Sequence, residues 1–484
     1  MTFDIIILTG ISGFEFQRAI GAYRIAAHLR QHGYSVQVID FIDYFDLDEL
    51  ANILDQVTGS NTLALCVSTS FLKTVTKDII VDSTYKKLRQ VSPATRSIIE
   101  TYRDRHPSVK IVGGGANVFW YKEDTLFDTV ITGYGENAIL DYIDSLKNKQ
   151  KRIYTRYKNI DLINGDKNLP DIQHMEHHWA INDCIIPGET LPIEISRGCI
   201  FNCRFCSYPL NGKKKFDYLR DPEYIKDEMI RNYEMFGTTN YMFSDDTFND
   251  STYKLEQLHK VFTSLPFKIK FVSYLRLDLL YAHQEQIQLL KEMGLGSAGF
   301  GIESLKPKTA KFIGKGLAED KVKDFLPKLY YDYWNEEISV ICSFIVGLPY
   351  ETAEEVEESF KWIQSVGINS IWMPLAITPS NFYLSEIDKN YEKYGYVLGE
   401  EIGYWKSPLM DRKKAEEIAL RFSKEASSVG TINSWYLFLM LSYGLNSFEE
   451  LKKLKWSELD IKKYSHRKEQ LIQEYKRLLA ESIK

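Results

Sequence analysis

A chain of 484 residues with 44% apolar and 26% charged side chains has material for two or three globular domains, and its six cysteines are too few for a disulfide scaffold. Sixty lysines and arginines against 66 aspartates and glutamates leave a formal charge of −6, which gives no global attraction for nucleic acid or an anionic membrane. Met1-Thr2-Phe3-Asp4 lacks the basic start of a signal peptide, and the most apolar late run, residues 435–441, is far shorter than the ~20 residues of a spanning helix, so a cytoplasmic protein with no membrane partner is expected.

Residues 1–146 alternate strand and helix patterns. Positions 4–8 form a short apolar run, after which Ile20, Tyr23 and Ala27 recur at helical spacing until Gly33. Further strands are predicted at 36–39, 62–67, 110–112 and 129–131, with helices at about 83–105 and 137–146. This is the pattern of an α/β, Rossmann-like domain, an open parallel sheet with helices on both faces. Residues 147–190 are polar and irregular and read as a linker.

The alternation resumes over residues 191–380, with six strands predicted at 192–196, 241–244, 268–273, 297–302, 338–346 and 369–375. The clearest helix between them opens at Asp221-Pro222, an N-cap acid followed by proline at the first helical position, and ends near Gly237. Six consecutive β/α units fit a partial (β/α)6 barrel better than a closed eight-stranded one. Residues 381–484 are expected to form a helical C-terminal region without further strands, with helices at 412–425 and 462–483.

Three cysteines crowd into one loop after the first barrel strand: Glu194-Ile195-Ser196-Arg197-Gly198-Cys199-Ile200-Phe201-Asn202-Cys203-Arg204-Phe205-Cys206. Thiolates at Cys199, Cys203 and Cys206 can hold three irons of a cubane and leave the fourth open to a substrate. The competing readings are a zinc site and structural cysteines. Zinc needs a fourth ligand, and no histidine lies between His178 and His259, leaving only Cys184 nearby. Cys66 and Cys342 sit in strand-like apolar runs as small buried hydrophobes, and Cys184 reads as an incidental thiol.

The loop, with Phe205 before its last cysteine, resembles the defining motif of the radical S-adenosylmethionine (SAM) superfamily, and the resemblance extends over residues 192–375. It implies a [4Fe–4S] cluster on Cys199, Cys203 and Cys206 and reductive cleavage of SAM to methionine and a 5′-deoxyadenosyl radical. It also implies SAM contacts from Asp245 and Asp246 after the second strand, Ser273 and Arg276 at the third, Glu303 after the fourth and Gly347 after the fifth. Singly, each has a plainer reading: Asp245 as a helix cap, Arg276 as a surface ion pair, Glu303 as a structural acid, Gly347-Leu348-Pro349 as a turn. Together they fall at the carboxyl ends of predicted strands, the face where parallel barrels place ligands.

The first domain resembles the cobalamin-binding domain of one radical SAM subgroup. The matching pieces are Ser68-Thr69-Ser70, Gly113-Gly114-Gly115 with the residues around it, and Gly133-Tyr134-Gly135-Glu136. Ser68, Gly113, Gly114 and Gly115 are the implied cobalamin contacts. The loop Thr9-Gly10-Ile11-Ser12-Gly13-Phe14 holds no histidine, so the lower cobalt ligand that an Asp-x-His-x-x-Gly motif supplies elsewhere is missing.

The leading expectation is a radical SAM enzyme modifying a small or medium organic substrate, by cobalamin-dependent methylation of an unactivated carbon, with flavodoxin or ferredoxin as electron donor. A second reading drops cobalamin in favour of rearrangement, cyclisation or sulfur insertion. A third, of a different class, is a nucleic-acid-associated binder with a structural cluster, resting on Lys213-Lys214-Lys215 and on lysines 452, 453, 455, 462, 463 and 468. Those late lysines interleave with acids as solvated helix faces do, so nucleic acid is not expected.

Overall fold

A computed structural model describes the chain except for residues 11–15, 71–90, 117, 119–125, 151–153, 158, 208–217, 380–382, 401–402 and 430–460, and except for the side chains of 427–429 and 461–465 inside helices. The first sheet contains β1 (Ile5–Leu8), β2 (Val36–Ile39), β3 (Ala64–Ser68), β4 (Lys110–Gly114), β5 (Thr129–Thr132), β6 (Thr155–Tyr157) and β7 (Ile160–Asn164). Their order is β2-β1-β3-β4-β5-β7-β6, with every neighbouring pair parallel except β6 with β7.

The strands read as continuous apolar runs because both faces are covered. Ile5 and Ile7 join Val36, Val38 and Cys66 in one core, shared with α1 (Ile20–Gln31) and α4 (Glu136–Lys147). Ile6 and Leu8 join Leu65, Val67 and Ile111 in the other, under α2 (Leu47–Val57) and α3 (Pro93–Arg105). The period of two thus feeds two cores from one strand. α3 starts late because Ser92 accepts the Thr95 N–H and Pro93 takes the first turn; the earlier part of the helix expected from residue 83 lies outside the described residues up to 90. Strand order reverses between β1 and β3, which opens a crevice at the carboxyl ends of the strands.

Where the sequence suggests an irregular linker, β6 and β7 extend the first sheet. Their polarity is that of a sheet edge: Arg156 pairs with Asp161 across the hairpin in solvent. The segment that follows is packed, with Trp179, Ile185 and Ile186 buried. Arg18, fully buried, bonds Glu189 at 2.5 Å and the carbonyls of Asp183 and Cys184 at 2.9 Å each.

The second sheet holds β8 (Leu191–Ile193), β9 (Asn240–Phe243), β10 (Lys270–Leu275), β11 (Leu295–Glu303), β12 (Ser339–Val346) and β13 (Asn369–Pro374), parallel and in chain order. β8 and β13 remain unpaired with each other, so the barrel is open. Outside it run α5 (Pro222–Phe236), α6 (Thr252–Thr263), α7 (Leu277–Ala282), α8 (Glu285–Met293), α9 (Pro307–Ile313), α10 (Glu319–Lys328) and α11 (Ala353–Ser365). α5 begins as its sequence predicts, Asp221 accepting the Glu223 N–H at 2.9 Å ahead of Pro222. Alternate strand residues face these helices: Phe243 stacks on Phe271 at 4.1 Å and reaches Phe262 of α6 at 5.6 Å.

The C-terminal region holds α12 (Glu386–Lys389), α13 (Arg412–Val429) and α14 (Ile461–Ser482), and also a two-residue hairpin, β14 (Val397–Leu398) with β15 (Trp405–Lys406), that no apolar run announces. α13 covers the outer face of β13, where Phe422 stacks on Phe360 at 3.9 Å and meets Trp372 edge-on. α14 returns to the first domain. Tyr475 is fully buried and its hydroxyl accepts the Asp40 N–H at 2.7 Å, while Lys476 pairs with Glu49.

Candidate functional site

The cysteine loop leaves β8 on a stem braced by buried polar contacts. The Ser196 hydroxyl donates to Asp245, and Lys254 of α6 reaches Ser196 Oγ at 3.1 Å, Asp245 at 3.2 Å and Asp250 at 3.5 Å, all out of solvent. Burial pushes the Asp245 carboxyl upward, and Lys254 opposes the shift. Asp245 therefore lies beneath the loop with its carboxylate engaged, while its neighbour Asp246 is exposed. Cys199 is buried beside the Thr247 hydroxyl at 3.5 Å, Cys203 and Cys206 are half-buried, and the Cys206 N–H donates to the Cys203 carbonyl at 3.0 Å.

Arg276, directly after β10, leans over this loop. One terminal nitrogen lies 3.5 Å from Cys203 Sγ, and the guanidinium sits 3.9 Å from the centre of the Phe201 ring. Asp278 holds it in a bidentate grip at 3.0 and 2.6 Å, and the Gly314 carbonyl accepts at 3.2 Å. Burial works against its charge, but Asp278 outweighs it and the guanidinium stays firmly protonated. A fixed cation beside a thiolate stabilises the negative charge of a cluster ligand.

Across the rim, Glu303 ends β11 at a bulge with φ of +66°. Ser343 reaches it at 3.4 Å and Lys315 at 3.7 Å, and Lys315 also stands 5.9 Å from the centre of the Phe205 ring. Burial raises the Glu303 carboxyl and Lys315 opposes it. The structure thus brings Cys203, Phe205, Arg276 and Glu303 together around the Gly314-Lys315 turn.

Two other expected SAM contacts are placed differently. Ser273 shares the strand face of Phe271 and Leu275, toward the helical layer, and its buried hydroxyl has no hydrogen-bond partner among the described residues. Gly347 has φ of +95° and any Cβ there would run into the Trp405 ring, so it admits the β14–β15 hairpin against the strand end. Its carbonyl accepts the Tyr396 hydroxyl at 2.7 Å. The opposite strand faces turn Tyr274, Ile371 and Met373 inward, 45%, 39% and 48% exposed, so the barrel interior offers an apolar wall beneath the polar rim.

Among the described residues no three His, Cys, Asp or Glu side chains converge as the shell of one metal ion. A cubane asks for a wider arrangement, since each thiolate holds a different iron. Cys184 lies elsewhere, its thiol 3.7 Å from Ser482 of α14, and Cys66 and Cys342 are core residues.

A second feature lies between the two sheets. A cleft opens over the carboxyl ends of β1, β3, β4 and β5, and Ser68, Gly113, Gly114 and Gly115 all line it. A Cβ at Gly114 would enter empty space, whereas Gly115, with φ of +99°, lies so close to the neighbouring turn that a Cβ would stand 2.6 Å from Ser70 Oγ. Thr69 holds the Gly114 carbonyl through both its N–H and its hydroxyl, at 2.8 Å each. Ile7, Val67, Val112 and Ile131 make the floor apolar, and no histidine lines the cleft among the described residues.

The far wall is charged and belongs to both domains. Arg197, two residues before Cys199, pairs with Glu136 of α4 at 2.7 Å and with Glu194 at 2.6 and 2.9 Å. Glu194 also receives Arg24 of α1 at 2.9 Å. Burial would raise the Glu194 carboxyl, yet Arg197 and Arg24 hold it down at about 2. Nearby, Gln17 donates to Met242 Sδ at 3.3 Å, which ties the entry of α1 to the barrel. Lys254, Lys315, Asp278 and Arg24 had no sequence signal: each is a charged residue like many on a helix or turn, and only its folded neighbours distinguish it.

Lys213, Lys214, Lys215, Lys452, Lys453 and Lys455 lie outside the described residues, as do the side chains of Lys462 and Lys463. Among the described residues no helix is long and apolar enough to cross a membrane.

Residues 193–363 match the family model of the radical SAM superfamily. An uncharacterized methyltransferase of Pyrococcus horikoshii is 27% identical over 292 residues, which are 56% of this chain and 61% of that protein. A putative methylthiotransferase of Methanocaldococcus jannaschii is 26% identical over 371 residues, 74% of each chain. The chain therefore spans about three fifths of the first of these relatives. In fold it is similar to the radical SAM methyltransferase TsrM from Kitasatospora setae, solved with cobalamin and a [4Fe–4S] cluster, with a TM-score of 0.60, 14% identity and coverage of 81% of this chain and 75% of that one.

Proposed function

We propose that the chain, whose residues 193–363 match the radical SAM family model, is a cobalamin-dependent radical SAM methyltransferase acting on an unactivated carbon of a small or medium organic substrate. One observation carries the reading. Arg197, two residues before the first loop cysteine, also lines the glycine-edged cleft and pairs with Glu136 there, so the stem of the cysteine loop is part of the cleft wall. The donor sets suit the groups: three thiols with no fourth ligand among the described residues for a cluster, and an apolar-floored cleft with an open cradle at Gly114 for a corrinoid.

When bound, the cluster supplies the electron that cleaves SAM and the corrinoid carries a methyl group. The chain's own part is to hold and orient. Cys199, Cys203 and Cys206 would hold the cluster, and Arg276, 3.5 Å from Cys203 Sγ, would offset the negative charge of that thiolate. Glu303, Lys315 and Asp246 offer polar anchors for the amino acid and ribose parts of SAM. Tyr274, Ile371 and Met373 give the substrate a largely apolar wall. An external donor such as flavodoxin or ferredoxin would furnish the electron. The histidine-free first loop favours one further reading, a cobalamin-free radical enzyme that rearranges or cyclises its substrate.

The test is anaerobic reconstitution with iron, sulfide and hydroxocobalamin. Absorbance should show iron–sulfur and corrin bands together, and replacing all three loop cysteines by alanine should remove iron and sulfide while the corrin bands persist. Full iron in that triple variant contradicts the cluster assignment. Iron–sulfur bands with no corrin retained would favour the cobalamin-free reading.

A further inference from the structure

The four charges Arg24, Glu194, Arg197 and Glu136 form one buried chain running from α1 to α4 through the stem of the cysteine loop. Arg197 is its centre. Its side chain is 8% exposed, its guanidinium lies 5.0 Å from the centre of the Tyr134 ring, and its backbone N–H donates to the Tyr218 carbonyl at 2.8 Å. Tyr134, Glu136 and Arg197 all line the cleft, yet Arg197 also sits two residues before Cys199 with only Gly198, at φ of +118°, between them. The next stem residue back, Ser196, is fixed by Asp245 and Lys254.

We infer that Arg197 is a positioning residue shared by the two sites, joining the wall of the first-domain cleft to the cysteine loop so that filling one orders the other. The inference rests on the corrinoid reading of the cleft. A ligand seated against Tyr134 and Glu136 restricts the partners of Arg197, and a buried arginine shared by two carboxylates cannot shift toward one without weakening its pairing with the other. Binding that orders this chain removes part of the ordering cost at the loop where SAM binds, which is positive coupling between the ligands. Arg24 braces the arrangement from α1 through Glu194, and the pairs leave no net charge to attract an anion on their own account.

The experiment measures SAM affinity of cluster-loaded, oxidised protein with and without saturating hydroxocobalamin, by calorimetry under anaerobic conditions. In the unaltered protein hydroxocobalamin should tighten SAM at least about five-fold, the lower range of allosteric coupling. Arg197→Met and Glu136→Gln should bring that ratio close to one while iron content stays full. Ile25→Ala, on the cleft wall but outside the charge chain, should weaken hydroxocobalamin and leave the ratio intact. Glu136→Gln keeps shape and volume, so it carries the test if Arg197→Met does not fold. A ratio preserved in both variants, or a ratio of one in the unaltered protein with both ligands bound, overturns the inference. Failure of the unaltered protein to bind hydroxocobalamin overturns the corrinoid reading itself, and the inference with it.

Discussion

At the scale of single residues, the site is a set of charges whose partners decide their work. Arg276 illustrates this: Asp278 holds it, Phe201 lies under it and Cys203 receives it. Removing the grip should matter nearly as much as removing the guanidinium. Arg276→Gln, Asp278→Asn and Glu303→Gln are each expected to weaken SAM by roughly ten- to hundred-fold, the effect of losing a charge-assisted bond of about 1.5–3 kcal/mol. Iron and sulfide content should be unchanged, because none of the three is a cysteine. Calorimetry on reconstituted protein checks both; unaltered SAM affinity in all three would remove the rim from the binding site. Lys254 differs in kind. It satisfies two buried carboxylates beneath the loop, so its loss strikes folding before binding.

At the scale of elements, the turn from β12 to α11 holds a carboxyl in an unusual state. Glu351 is buried, accepts the Ser304 hydroxyl at 2.7 Å through one oxygen and has no partner among the described residues for the other. Burial pushes its pKa up to about 8, so the folded chain keeps a proton that the unfolded chain has released above its ordinary value of 4.5. A raised carboxyl gives stability that is fully present below pH 4.5 and is lost as pH rises toward 8, by at most about 1.4 kcal/mol per unit. Urea unfolding at pH 6 and pH 8 should show the unaltered protein weakening as pH rises, and Glu351→Gln should flatten that slope. An equal slope in both proteins would mean the carboxyl is ionised throughout. The same turn shows how an element depends on another: Gly347 lacks a side chain because Trp405 of the β14–β15 hairpin occupies the space.

At the scale of the whole molecule, the returning helix α14 packs on the first domain, and Glu194 and Arg197 of the cysteine-loop stem join the lining of the first-domain cleft. The cleft is lined by no histidine among the described residues, and the loop after β1 has none in sequence. Bound cobalamin should therefore be base-off and without a protein imidazole on cobalt. Electron paramagnetic resonance of the cob(II)alamin form is expected to lack the nitrogen splitting of an axial imidazole, and its presence would contradict this arrangement.

The local signals in the chain were enough for the alternation of β1 to β5, the six barrel strands, the Asp221-Pro222 helix start and the spacing of Cys199, Cys203 and Cys206, because each depends on residues a few positions apart. The polar run that became β6 and β7 was illegible for the opposite reason: an edge hairpin can be solvated and needs a neighbouring sheet to exist. The hairpin around Trp405, the return of α14 to Asp40 and the burial of Lys254 likewise depend on partners far along the chain. So does the link from Glu136 to Arg197. The sequence shows an acid and an arginine 61 positions apart, and only packing the first domain against the barrel leaves each as the partner that makes the other's burial tolerable.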